Sequence, residues 1–340
     1  MAQDYSGVCA RYLRLGAFLC LAALALAGPG RALTQAELFQ ATAPLEGRSE
    51  AAQTAAFQAA LRTVLVRVTG RRGADEDPAL APLIGNAHRY VQQYRQAGDG
   101  QLWVAFDGAA IERWLTQNGQ PLWGRERPPT LVWLAVQSGP QGGVVISSED
   151  TSDLKSAIDA AAIARGTPLL WPSTADLQRN HMDYSTLTAT SAGALAELGH
   201  RLGGEGTLIG RAAGNTPDSA VRWTFLFQDH GGEFSGALEG VNRAADAYAA
   251  IFAVKGALGQ IDIEVAGVTE LHDYAALQSY LESLTFVAHV GVESLSGDTV
   301  RFRLSTRGGA ESLQHALSLG GRLQSTGTGE NGIQRFKLRR

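Results

Sequence analysis

The sequence predicts several small α/β and α+β modules, with a mixed βαβ-type central sheet and a carboxyl-terminal ferredoxin-like domain. Three observations lead to this fold class. Residues 130–171 form a strand–helix–strand unit, which is typical of a parallel sheet. Paired prolines in residues 125–129 (RERPP) interrupt the chain just before it, because proline continues neither a helix nor a central strand. After residue 260 the predicted elements follow in the order β-α-β-β-α-β.

The chain therefore divides into four predicted segments. Residues 1–32 form a signal peptide, residues 33–126 an amino-terminal α+β domain, residues 127–258 a central α/β domain and residues 259–340 the ferredoxin-like domain. A length of 340 residues is enough for two or three domains. A content of 45% hydrophobic and 18% charged residues is typical of globular proteins.

The amino terminus has the pattern of a secretory signal peptide. Arg11 and Arg14 precede a short apolar run at residues 15–28, and small residues follow at Gly30 and Ala32. As a helix this run would span about 21 Å, which is short of the roughly 30 Å hydrocarbon core of a bilayer. We predict cleavage after Ala32 and a periplasmic location. The alternative is an inner-membrane anchor formed by residues 15–28.

Composition argues against several kinds of site and partner in the exported chain. Both cysteines, Cys9 and Cys20, lie in the predicted signal peptide, so the mature chain would be cysteine-free, without disulfides or thiolate metal ligands. The signal peptide also holds three of the 29 basic and one of the 33 acidic residues, so the mature chain would contain 26 basic and 32 acidic residues. This acidic balance argues against nucleic acid as a partner. Membrane contact is expected only through an uncleaved signal peptide.

A long helix dominates the predicted first domain. It begins after Ser49 and ends at Gly70, and its apolar residues recur at helical spacing on one face. This face contains Phe57, Leu61, Val64, Leu65 and Val68. The other elements are an extended stretch at residues 36–45, a helical pattern through His88, Tyr90 and Tyr94, a strand at residues 102–106 and a helix at residues 109–117.

The central domain begins with a near-continuous apolar run at residues 130–136 (TLVWLAV), which is typical of a buried strand. A helix at residues 152–164 and a second apolar run at residues 168–171 complete the strand–helix–strand unit. The remaining elements are a helix at residues 192–202, a strand at residues 207–210, a hairpin turning at Gly231-Gly232 and a helix at residues 244–258.

The last domain has the clearest alternation of apolar and polar residues. Two strands are indicated by Ile261, Ile263 and Val265 and by Val300, Phe302 and Leu304. Two helices are indicated by Tyr274, Leu277, Leu281 and Leu284 and by Leu313 and Leu317. Asn331-Gly332 predicts a hairpin turn, since such turns need positive φ at both positions. The basic tail around Arg335 and Lys337 is interpreted as a solvated strand edge.

No group of residues has the spacing of a recognised catalytic or metal-binding motif. The seven histidines belong to no metalloprotease motif, and there is neither a G-x-S-x-G nor a P-loop sequence. Gly203-Gly204-Glu205-Gly206 has the composition of a phosphate loop. It precedes a predicted strand, however, and so lacks the helix amino terminus that binds the anion in such loops. We predict no catalytic residue, no metal ligand and no cofactor.

Tryptophan is the residue type with the best case for contact with a ligand. Trp103, Trp133 and Trp171 lie in apolar runs that predict core positions. Trp123 lies instead in the turn-like sequence PLWG, which makes it the tryptophan least easily buried. Because aromatic rings can stack on sugars, Trp123 is the predicted ligand-binding residue.

Four stretches of the chain resemble one protein family. They are LRTVLVRVTGRRG (61–73), LWVAFDGAAIERWL (102–115), GQPLWGRERPPTLVWLAV (119–136) and ARGTPLLWP (164–172). The chain is similar in these stretches to the domain-of-unknown-function 2066 family of exported proteobacterial proteins, most specifically at residues 123–135. The resemblance covers most of the mature chain. It implies a location and an undefined role in the cell envelope, and it carries over no functional residue.

These observations favour a non-enzymatic periplasmic interaction or assembly factor with a protein partner in the envelope. Two alternatives stay open. A glycan- or peptidoglycan-binding module would use Trp123, and an enzyme would bring its catalytic residues together only in the folded chain.

Export predicts a new amino terminus. If the signal peptide is removed after Ala32, amino-terminal sequencing of the protein from a periplasmic extract should begin at Leu33. A full-length chain recovered from the membrane fraction would show instead that the apolar run at residues 15–28 anchors the protein.

Overall fold

The computed structural model describes residues 35–124, 127–139, 142–256, 258–284, 286–319, 321–329 and 332–339. These residues contain three β-sheets, each packed against helices over an apolar core. The predicted α/β and α+β fold class is confirmed. The predicted signal peptide, its cleavage site at Ala32 and both cysteines lie outside the described residues. None of the described helices is long and apolar enough to cross a membrane.

The first sheet is antiparallel, with the strand order β1-β3-β2. Its elements are α1 (Gln35–Leu38), β1 (Gln40–Pro44), α2 (Glu50–Thr69), α3 (Ala81–Gly85), β2 (Val91–Gln96), β3 (Gln101–Phe106) and α4 (Gly108–Gln117), with short 3-10 turns at Arg72–Asp75, Pro78–Leu80 and Ala87–Tyr90.

Helix α2 forms where the apolar periodicity predicts it. The Ser49 hydroxyl accepts a hydrogen bond from the Ala52 N–H at the amino end, and Gly70 takes the left-handed conformation that ends the helix. The predicted apolar face is buried against the sheet. The helical prediction through Tyr94 is wrong, because Tyr94 lies in β2 and its strand pairs with β3. The apolar periodicity of this segment is weak, and its pairing with β3 decides its structure.

The central sheet is mixed, with the order β5-β4-β7-β8-β9 and with β6 pairing with one end of β4. Strand β4 is parallel to β6 and β7, as the strand–helix–strand pattern predicts. The elements are β4 (Thr130–Gln137), β5 (Gly143–Val145), α5 (Asp153–Arg165), β6 (Leu169–Leu170), α6 (Thr174–Arg179), α7 (Tyr184–Ala189), α8 (Ala192–Arg201), β7 (Gly206–Ala212), β8 (Val221–Phe227), β9 (His230–Ser235) and α9 (Glu239–Phe252).

Helices cover the two faces of this sheet unequally. Helices α5 and α9 pack on one face and bury a core around Trp223 and Tyr248. The shorter helices α6, α7 and α8 pack on the other face, against residues of β4 and β7 such as Trp133 and Ile209. The Trp133 indole N–H donates to the Leu195 carbonyl at 3.0 Å, which fixes α8 over the sheet. Strands β8 and β9 extend beyond these short helices.

Two boundaries in the central segment differ from the prediction. The β8–β9 hairpin turns at Gln228, which takes a φ of 50°, and Gly231-Gly232 lies inside β9. Helix α9 begins at Glu239 and ends at Phe252, several residues before the predicted bounds. Both glycines lie opposite residues of β8 in the strand register, so their presence did not mark the turn.

The third sheet has five strands in the order β11-β12-β10-β14-β13. Its elements are β10 (Gly259–Ala266), α10 (Leu271–Ser283), β11 (Val287–Ser296), β12 (Thr299–Thr306), α11 (Gly309–Leu319), β13 (Leu323–Thr328) and β14 (Gln334–Leu338). The order β11-β12-β10 is that of a ferredoxin-like sheet, to which the hairpin β13–β14 adds a strand. Strand β14 is therefore internal, which corrects the interpretation of Arg335 as part of a sheet edge.

Buried arginines join the first and central sheets. Arg127 donates to five backbone carbonyls, those of Arg67, Trp123, Gly124, Arg165 and Gly166, over distances of 2.8 to 3.3 Å. Three of these carbonyls lie at the carboxyl ends of α2 and α5, where the partial charge is negative. The Arg127 guanidinium also stacks on the Trp123 ring, 3.9 Å from its centroid.

Arg67 and Arg165 add further hydrogen bonds at this junction between the first and central sheets. Arg67 is buried and donates to the carbonyls of Glu37, Leu38 and Gln40, and burial lowers its pKa to about 10. Arg165 donates to the Gly70 carbonyl at 3.1 Å and to Asp246 on α9. Gly166 is required here, because a Cβ at this position would lie 2.5 Å from both Arg127 and Arg67.

We predict that Arg127→Met destabilises the protein by about 3 kcal/mol, because buried carbonyls lose charged hydrogen-bond donors. The measurement is urea unfolding of residues 33–340, followed by tryptophan fluorescence. Arg179→Met is the matched control, since the Arg179 side chain is 70% exposed, and it should change the stability by less than about 0.5 kcal/mol. Equal effects of the two substitutions would contradict a structural role for Arg127.

Candidate ligand-binding groove

An open groove of about 730 Å³ lies where α7 and α8 leave the second face of the central sheet uncovered. We call it the arginine groove. One wall is the segment that joins α7 to α8, and the floor is formed by β7, β8 and β9. The polar residues of the floor and wall are Thr188, Thr190, Ser191, Arg211, Arg222, Thr224, Glu233 and Ser235.

Strand alternation sets the composition of the groove floor. In β8, Val221, Trp223 and Phe225 face the core under α9, so Arg222 and Thr224 face the groove. Trp223 can pack closely because glycines lie on both sides of it. A Cβ at Gly210 or Gly240 would come within 2.6 Å of its ring. The apolar side of the strand thus fixes which residues reach the groove.

Two arginines lie directly opposite each other on this floor. The register pairs Arg211 of β7 with Arg222 of β8, and Arg222 in turn with Ser235 of β9. Like charges at directly opposite positions of antiparallel strands destabilise a sheet. The next row, Ile209, Thr224 and Glu233, contains the one carboxylate among the residues that line the groove.

Neither arginine forms an ion pair with a described carboxylate. The Arg211 side chain donates to the Thr188 carbonyl at 2.8 Å, and the Arg222 side chain makes no hydrogen bond to another described residue. Guanidinium groups in general carry a positive charge at physiological pH. The amino end of α8 also borders the groove, where the Ser191 hydroxyl accepts from the Ala194 N–H. Its partial positive charge adds to that of the arginines.

The third sheet shows the opposite arrangement on its helix-free face. Arg303 lies opposite Asp262 and Arg301 opposite Glu264, and each pair is bridged, at 2.9 and 2.5 Å. Arg335 approaches Glu264 at 2.9 Å from the other side. Hydrogen bonds from Arg301 and Arg335 hold the pKa of the Glu264 carboxyl below its usual range. We call this side of the third sheet the paired face, because each of its three arginines has a carboxylate partner on a neighbouring strand. The two arginines of the arginine groove have no such partner among the described residues.

The predicted ligand-binding residue, Trp123, lies far from solvent. It has no exposed surface, and Arg127 covers one face of its ring. A sugar would reach this ring only if the junction between the first and central sheets opened. The prediction that Trp123 is the least easily buried tryptophan is wrong. Its ring is buried against Arg127, which lies 4 residues further along the chain, and a turn-like local sequence does not show this contact.

The glycine-rich sequence at residues 203–206 leads into β7, as predicted, and contributes to packing. The Tyr248 hydroxyl lies so close to Gly206 that a Cβ there would be 1.9 Å from it, and the hydroxyl is hydrogen-bonded to Thr130 at 2.6 Å. Burial raises the pKa of the neighbouring Glu205 carboxyl to about 7. Glu205 does not line the arginine groove.

Sequence reasoning did not identify the arginine groove. The alternation in residues 221–227 shows that Arg222 and Thr224 share a face, but the pairing with Arg211 depends on the β7–β8 register. Among the described residues, no group of three histidine, cysteine, aspartate or glutamate side chains is placed to hold a metal ion.

A family model described as a domain of unknown function (DUF8605) matches residues 32–124. The resemblance to the domain-of-unknown-function 2066 family is therefore corrected, since the matching model is a different domain of unknown function. The match covers less than a third of the chain and ends before the central sheet. No curated protein matches the chain.

We predict that Arg222→Glu raises the stability of the protein by up to about 1 kcal/mol, because it replaces a repulsive cross-strand pair by an attractive one. Arg301→Glu is the matched control, since it places a carboxylate opposite Glu264 and should lower the stability. Urea unfolding at low salt measures both changes, and 1 M NaCl should reduce them. A loss of stability in Arg222→Glu would show that the two arginines do not repel each other.

Proposed function

We propose that the protein is a non-enzymatic interaction or assembly factor of the bacterial cell envelope, and that the arginine groove binds an acidic group of its partner. The observation that carries this proposal is the cross-strand pair Arg211–Arg222, which has no carboxylate partner among the described residues. An anion placed above both guanidinium groups would relieve their repulsion and gain charged hydrogen bonds.

The chemistry of the groove favours binding over catalysis. Arginine does not exchange protons at physiological pH, so Arg211 and Arg222 would hold and orient an anion rather than act as an acid or a base. The other polar groups that line the groove are mainly hydroxyls, which add hydrogen bonds of adaptable direction. A volume of about 730 Å³ is large enough for several side chains of a partner.

An envelope location is supported by the predicted signal peptide. The positive residues, the short apolar run and the small residues before Leu33 are together typical of export. A partner in the same compartment follows from this location. The burial of Trp123 gives no support to a glycan-binding role through that residue.

The test is site-specific photo-crosslinking in intact cells. A photoreactive amino acid at Thr224, in the centre of the groove floor, should give a crosslinked adduct in the otherwise unchanged full-length chain. The double variant Arg211→Gln/Arg222→Gln should reduce this adduct at least tenfold, because the anion loses both of its charged donors. The same photoreactive residue at Ser305, on the paired face of the third sheet, is the matched control and should give none.

Two outcomes would contradict the proposal. One is the absence of an adduct at Thr224 in cells that contain normal amounts of folded protein. The other is an adduct of the same size and yield in the double variant, which would show that the arginines do not contribute to binding.

A further inference from the structure

The edge of the central sheet beside the arginine groove differs from the other described edges. Strand β9 pairs with β8 over six residues in unbroken register. The edge strands β2, β11 and β13 each contain a register shift. Strand β1 ends in Pro44, and β5 has only three residues. Bulges, prolines and short lengths are among the features by which proteins protect sheet edges from pairing, and β9 has none of these three, although it carries one carboxylate, Glu233.

The backbone of β9 presents regularly spaced free groups at this edge. The Gly236 N–H donates to the Val221 carbonyl at 2.8 Å, which marks a hydrogen-bonded pair of the antiparallel ladder. Because hydrogen-bonded and non-hydrogen-bonded pairs alternate, residues 230, 232 and 234 also point their backbone groups towards β8. The N–H and C=O groups of Gly231, Glu233 and Ser235 therefore point away from the sheet.

The arginine row of the groove leads to this edge. Its order across the strands is Arg211, Arg222 and Ser235. A strand added to β9 would lie about 4.8 Å beyond it, with one side chain next to Ser235 on the groove face. Since the Ser235 side chain is small, an acidic side chain at that position can extend over it towards the Arg222 guanidinium.

The opposite face of β9 also accommodates an added strand. Phe234 is half-buried there, and the Arg243 guanidinium lies 5.5 Å from its ring centroid. An apolar side chain on the next strand would pack beside this ring. The preferred segment thus alternates apolar residues with polar ones and has an acidic residue in the arginine row.

From this arrangement, and on the basis of the proposed function, we infer that the partner is an extended polypeptide segment that adds to β9 as a further strand and directs an acidic side chain into the arginine row, towards Arg222. Its main-chain groups pair with Gly231, Glu233 and Ser235. The charge of the arginine row selects for an acidic residue, whereas Glu233 disfavours a second acid in the neighbouring row.

The test is a titration of residues 33–340 with three blocked peptides, followed by NMR. The parent peptide is Thr-Val-Thr-Val-Glu-Val-Thr. The second has glutamine in place of glutamate. The third is N-methylated at every residue, which keeps the charge and removes the backbone donors that would face β9 in either strand direction. The parent peptide should bind, and each altered peptide should bind about tenfold more weakly, since each loses hydrogen bonds or the charged contact.

Variants of Ser235 test the same inference from the side of the protein. Ser235→Pro removes an outward N–H without removing a bond to β8, a position at which edge strands tolerate proline. It should weaken binding of the parent peptide about tenfold, whereas Ser235→Ala, which keeps the N–H, should bind it like the unchanged protein. Inorganic phosphate, which has no backbone, should bind both variants equally.

The outcomes separate this inference from the proposed function. If the N-methylated peptide binds as well as the parent peptide, strand addition is wrong, and binding that still depends on Arg211 and Arg222 leaves the proposed function intact. If neither phosphate nor the parent peptide shifts the resonances of Ile209 and Thr224, or if Arg211→Gln/Arg222→Gln leaves these shifts unchanged, both proposals fail.

Discussion

The buried Arg127 guanidinium is the contact on which the arrangement of the first two sheets depends. It has backbone carbonyls for partners on α2, on α5 and on the segment between the sheets. A cation at two helix carboxyl ends is favourable, because both ends carry partial negative charge. The geometry leaves no room for a side chain at Gly166. Trp123 is buried for the same reason, since its ring is the surface on which the guanidinium stacks.

This junction determines which side of the central sheet stays accessible. Helix α2 contacts α5, and α11 of the third module contacts α9. Arg72 reinforces this side through ion pairs with Glu239 and Asp246 of α9. The neighbouring modules therefore both pack on the helices of one face. The arginine groove lies on the opposite face, at the strands that α6, α7 and α8 leave uncovered, so a ligand can bind there without disturbing the junction.

Local patterns predicted most of the fold and none of the site. Ser49 and Gly70 mark the ends of α2 because capping uses only neighbouring residues, and the strand at residues 130–136 follows from its composition. Tyr94 and Trp123 could not be placed in this way. The first depends on pairing with β3 and the second on Arg127. The charge of the groove depends on the register that brings Arg211 opposite Arg222, which no single strand sequence reveals.

The energetic cost of placing Arg211 opposite Arg222 supports the proposal that the groove binds a ligand. A cross-strand repulsion of about 0.2–1 kcal/mol is small compared with the stability of a typical domain, about 5–15 kcal/mol, so the fold tolerates it. The third sheet shows that the same chain can instead place a carboxylate opposite each such arginine. The unpaired row ends at Ser235, on the edge strand that lacks a bulge or a proline. Repulsion and an open edge are each unfavourable in a free protein, and one bound acidic strand would remove both.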